Sequence, residues 1–79
     1  MRLDKYLKVS RIIKRRVIAK EQVDSGFVLV NSKVAKASTD IKIGDKITLV
    51  KLSKSYVVKN IYPSATEEKA KTMFEESND

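Results

Sequence analysis

The stretch VSRIIKRRVIAKE, Val9 to Glu21, sets five aliphatic side chains among Arg11, Lys14, Arg15, Arg16 and Lys20. Aliphatics this dense require a core, and cations this dense require water or an anion, so the two sets must separate onto different surfaces. Just upstream, Leu3, Tyr6, Leu7, Ser10 and Ile13 recur at the spacing of one helical face, with Lys5 and Lys8 pointing away. Carrying that wheel past residue 13 scatters Val17, Ile18 and Val23 around the helix and would bury charge. The spacing therefore predicts two short helices with a break between about Val9 and Lys14. A restart near Arg15 places Ile18, Ala19, Gln22 and Val23 on one side and Arg16, Lys20 and Asp24 on another. Ser25 and Gly26 close the second helix, because glycine takes the left-handed position after a helix without steric cost.

Beyond Gly26 the period changes. FVLVNSKVAK reads as two short extended runs joined at Asn31 and Ser32, a two-residue hairpin signal. IKIGDKITLV places Gly44 and Asp45 in a second turn followed by a strand through Ile47, Leu49 and Val50, and KSYVVKNIY supplies a last strand ending at Pro63. Ser64 or Thr66 is then positioned to cap a final helix from about Thr66 to Glu76, with Ala70, Met73 and Phe74 as its apolar stripe. The pattern predicts an α+β domain: two short N-terminal helices packed on a small, mainly antiparallel sheet over residues 1–62, and a short acidic C-terminal helix and tail over 63–79.

With 79 residues, the chain is read as one small domain with a single modest core. It carries 17 Lys and Arg against 10 Asp and Glu, and eight of those cations fall in the first twenty residues beside Asp4 alone. A cationic end on a nearly balanced body is the footprint of a polyanion binder, since Lys and Arg gain affinity by displacing counterions from phosphates. The chain has no Cys and no His, which excludes disulfides, thiol or imidazole catalysis and the usual zinc ligand sets. No apolar run approaches the roughly 20 residues that span a bilayer, and no signal-like segment opens the sequence. A soluble, cytoplasmic, monomeric protein with no cofactor and no resident metal is expected.

Lys14, Arg15 and Arg16 stack three cations at a helix start, where the macrodipole favours anions. A bound phosphate would satisfy both the free N–H groups and the cations. Arginine presents a planar fork suited to phosphate or base stacking, so Arg2, Arg11, Arg15 and Arg16 rank above the lysines. Tyr6, Tyr56, Tyr62 and Phe27 could stack bases, although each lies in a pattern better explained by core packing. Asp4, Asp24 and Asp45 read as helix-surface, helix-end and turn carboxylates, with no paired base that would make a catalytic site. No catalytic residue is expected.

The string from RLDK through SR, KRR and GFVLVN to KAS and GD resembles the S-four RNA-binding domain, over about Arg2 to Tyr62. The resemblance implies an αL-like RNA-binding fold whose helical pair and hairpin form the contact surface. It is strongest with short stand-alone bacterial members that serve in ribosome quality control, whose acidic helix-forming tail TEEKAKTMFEE matches. It implies binding to a large ribosomal subunit still carrying peptidyl-tRNA, contacts to tRNA and large-subunit RNA, and support of template-free alanine tailing alongside a tailing factor. By motif match Arg2 and Arg16 are the leading RNA contacts, with Arg11, Lys14, Arg15 and Lys20 beside them, and Lys5, Asn31, Lys33 and Lys36 complete the candidate RNA-binding set. The hairpin departs from the usual Asn-Gly at Asn31-Ser32. Three alternatives stay open: a general structured-RNA or heat-shock-type ribosome binder, a non-specific DNA binder, and a binder of anionic membrane surfaces. A membrane binder should leave large apolar residues exposed on its basic helix, whereas the sequence assigns them to the core.

Overall fold

In a computed structural model that describes residues 1–77, with the main chain alone at Arg16, the first helix forms where the wheel places it. Helix α1 spans Leu3–Val9, and Leu3, Tyr6 and Leu7 are fully buried along with Ser10. The Ser10 N–H donates to the Tyr6 carbonyl at 2.9 Å, and Arg11 then enters the left-handed region at φ 63, turning the chain away. Helix α2 spans Arg16–Asp24 and packs on α1 through Ala19 and Val23. Its end is a Schellman arrangement: the Gly26 N–H donates to Val23 and the Phe27 N–H to Gln22, both at 3.0 Å, with Gly26 at φ 80.

Five strands follow, β1 Val28–Val30, β2 Lys33–Val34, β3 Lys46–Leu49, β4 Lys54–Val58 and β5 Phe74–Ser77, with helix α3 Glu67–Thr72 between the last two. They make one sheet in the order β2-β1-β3-β4-β5, antiparallel at every pairing. The hairpin tip has Asn31 at φ 52 and Ser32 at φ 70, the type I′ geometry that matches strand twist. The Asn31 side chain explains why the turn needs no glycine after it. Its carboxamide oxygen accepts the Lys46 N–H at 3.0 Å while its NH2 donates to Asp45 at 3.1 Å, latching the tip to the start of β3. The core lies between the helical pair and the sheet, built from Leu3, Tyr6, Leu7, Val28, Ile41, Ile47, Val58 and Met73.

Several expectations are corrected. The final helix stops at Thr72 instead of Glu76, and Phe74–Ser77 is a strand. The open edge of β4 decides this: Val58 pairs with Phe74 and Tyr56 with Glu76, and the Phe74 ring meets Tyr56 edge-on at 5.2 Å. The helix is ended by Asn60, whose NH2 donates to the Thr72 carbonyl at 2.8 Å, and by Tyr6, whose buried hydroxyl donates to Met73 at 2.6 Å. Burial pushes the Tyr6 phenol well above its ordinary value. Thr66 is the cap, its hydroxyl accepting the Lys69 N–H at 3.3 Å. Strand β3 ends at Leu49, with Val50 entering a 3-10 turn, and β4 ends at Val58, short of Pro63. Ile18, assigned to the core, is 43% exposed because α1 covers only the Ala19 and Val23 stripe of α2. Asp4, read as surface charge, is buried and held by Arg2.

Candidate nucleic-acid interface

The N-terminus of α1 is fixed by the loop after the hairpin. Leu3 N–H donates to Thr39 at 2.8 Å, Arg2 bridges Asp40, and the turn Lys36–Thr39 is closed by the Lys36 N–H to the Thr39 hydroxyl at 2.8 Å. This is the physical content of the KAS motif: it makes the turn on which Arg2 is mounted. The Arg2 guanidinium lies 3.3 Å from the buried Asp4 carboxylate yet keeps 60% of its side chain in solvent. Asp4 thus orients Arg2 without consuming it, leaving guanidinium donors for an external acceptor. Arg2 and Lys36 line one shallow depression together with the end of α2.

A second group gathers elsewhere. Lys5, Lys8, Arg11 and Lys14 line a groove of about 670 Å³ whose far wall is the Pro63–Ala65 segment. Arg15 is the N-cap of α2, exposed and extended at φ −108. Neither a side-chain cap nor an acid serves the first turn of α2, so its N–H groups and dipole face solvent among cations. Lys20 lies on the outer side of the same helix beside Val17 and Asp24. Lys33 is exposed on the hairpin. The Asn31 carboxamide is occupied by Asp45 and Lys46, so its place in the fold is to shape the tip. The Arg16 side chain lies outside the described residues.

The sequence reading therefore identified the cations but not their division into separate surfaces, which depends on the left-handed turn at Arg11. It also left out Lys8. A signal was present: a cation stands at every third position from Arg2 through Lys5, Lys8 and Arg11 to Lys14. The aromatic candidates are used internally. Tyr6 and Tyr56 are buried, Phe27 lies under the Lys51 ammonium at 4.6 Å, and Lys69 stands 5.7 Å from the Tyr62 ring centre. Besides Ile18, Val17 is 78% exposed, and Val50 and Leu52 also face solvent. The assignment of the large apolar side chains of α2 to the core thus holds for Val23 and fails for Val17 and Ile18. No helix among the described residues is long and apolar enough to cross a membrane.

A helical pair and an attached hairpin, each carrying exposed cations on a single antiparallel sheet, define an RNA-binding module of the S4 type. The S4 domain family model matches residues 1–47, and the chain belongs to that family. Its relatives include proteins named RQC P-site tRNA stabilizing factor. One from Streptococcus pneumoniae is 49% identical over 95% of this chain and 88% of its own length. Another, from Halalkalibacterium halodurans, is 46% identical over the same shares. Among solved structures, the trimeric heat shock protein 15 of Vibrio cholerae superposes with a TM-score of 0.87 at 31% identity, covering 99% of this chain and 82% of that one. The resemblance of the sequence to the short quality-control members of the S-four family agrees with these names.

Proposed function

We propose that this chain is a non-catalytic RNA-binding factor of ribosome quality control. It holds peptidyl-tRNA on the large ribosomal subunit and so supports addition of alanine tails to stalled chains by a separate tailing factor. The observation that carries this reading is the pairing of an uncapped, cation-flanked start of α2 with an Arg2 held outward by a buried carboxylate. Both are donors arranged for phosphate, and relatives that match nearly the whole chain are named for stabilizing P-site tRNA. The proposed contacts are Arg2, Lys5, Arg11, Lys14, Arg15, Lys20, Lys33 and Lys36, with Asn31 setting the hairpin tip and Arg16 included from the family motif. The protein acts as a monomer in the cytoplasm by binding and positioning, with no bond made or broken.

Sucrose-gradient sedimentation of tagged protein from cells tests this, with wild type beside Arg15→Ala and each fraction probed for tRNA. Wild type is expected with free large subunits carrying tRNA, and Arg15→Ala is expected to shift toward the top. Migration of wild type with large subunits lacking tRNA would favour the heat-shock-type reading, which the likeness to heat shock protein 15 supports. The exposure of Val17 and Ile18 on a basic helix gives the membrane-surface reading one observation of its own. Co-sedimentation with anionic liposomes as strong as binding to ribosomal RNA would replace the proposal.

A further inference from the structure

Helices α1 and α2 end in the same backbone conformation with different residues. After α2 the left-handed position is held by Gly26 at φ 80, and after α1 it is held by Arg11 at φ 63. For a residue with a Cβ this conformation costs free energy that glycine avoids. The turn itself is closed by the Arg11 N–H donating to Lys8 at 3.1 Å, but glycine would make that bond equally well, and no side-chain contact among the described residues explains an arginine there. The Arg11 side chain is exposed, and among the described residues its guanidinium has no hydrogen-bond or ion-pair partner. Its place is nonetheless specific, since Arg11 lines both the groove shared by Lys5, Lys8 and Lys14 and the adjoining depression that runs to Glu67 and Lys71. An arginine kept where glycine would be less strained, at the junction of two cation-lined hollows, is the pattern of a residue retained for a ligand.

We infer that the groove between Lys5, Lys8, Arg11 and Lys14 and the Pro63–Ala65 segment is a second RNA-backbone site, and that Arg11 is held left-handed to present its guanidinium there. The inference rests on the RNA-binding reading proposed above. Four cations face a wall whose Ser64 is exposed and offers a hydroxyl, while Pro63 brings no N–H of its own. That chemistry suits a strand of phosphates passing between the walls, separate from whatever meets Arg2 and α2.

The chain contains no cysteine, so Ser64→Cys and Lys20→Cys each create a unique attachment point for a photo-crosslinker. With purified tRNA and large-subunit RNA as probes, crosslinks are expected from both positions, and those from position 64 should disappear in an Arg11→Gly background. Arg11→Gly should also melt at the same or a higher temperature while binding the RNA about tenfold less tightly at moderate salt. Crosslinking from position 20 but not from 64, with affinity intact, would overturn the groove site and leave the RNA reading standing. A lowered melting temperature for Arg11→Gly would overturn it too, by making Arg11 structural. Absence of RNA binding by the wild type would remove the underlying reading itself.

Discussion

The two N-terminal helices are nearly the same length and answer to opposite demands. Helix α1 turns Leu3, Tyr6, Leu7 and even the carboxylate of Asp4 inward and is wedged between the sheet and the Met73 carbonyl. Helix α2 commits only Ala19 and Val23 to the core and leaves Val17, Ile18, Lys20 and its uncapped first turn outside. One helix therefore carries the fold, and the other is displayed by it. A basic, half-apolar helix attached through two small contacts can present its donors to a partner with little consequence for stability.

The comparison is sharpest where the same truncation is made on both sides. Leu7→Ala should cost about 2 to 5 kcal/mol in chemical denaturation, the range for a fully buried aliphatic. Ile18→Ala should cost less than about 1 kcal/mol, since much of the side chain is already in water and Ala is the better helix former. Equal losses at the two positions would break the distinction between the helices.

Tyr6→Phe should have an intermediate effect. It removes one buried hydrogen bond but leaves the Met73 carbonyl accepting from Lys59 and Asn60, so about 0.5 to 1.5 kcal/mol is expected. The pH dependence carries its own sign. Burial raises the folded-state value of the phenol, so its contribution is complete below the unfolded value of 10.0 and is lost as pH rises above it. Unfolding curves of Tyr6→Phe should accordingly fall less steeply than wild type on the alkaline side. Ser32→Gly should have the smallest effect and the opposite sign, a gain of up to about 1 kcal/mol in melting experiments, because the type I′ turn already holds that residue at φ 70.

What the sequence disclosed follows the same division. Helix α1 was legible because four positions agree on one face and a break is forced soon after. The orientation of α2 was only half legible: a wheel groups Ile18 with Ala19 and Val23, but how wide a stripe is covered depends on the partner helix. Strand β5 was illegible because FEES has no alternation of its own. Its pairing is imposed by the free edge of β4, and its helical neighbours made continuation of α3 the natural reading. The cations of the candidate site were legible apart from Lys8, which was left out, and apart from their grouping, which the left-handed turn at Arg11 sets.

The central claim, that α2 and its flanking turn are the displayed surface, is tested most directly by amide NMR of the labelled chain titrated with purified tRNA. The largest shift changes are expected over residues 11–20 and at Arg2, with β4 and β5 little affected. Largest changes over residues 54–58 and 74–77, with α2 unmoved, would contradict it.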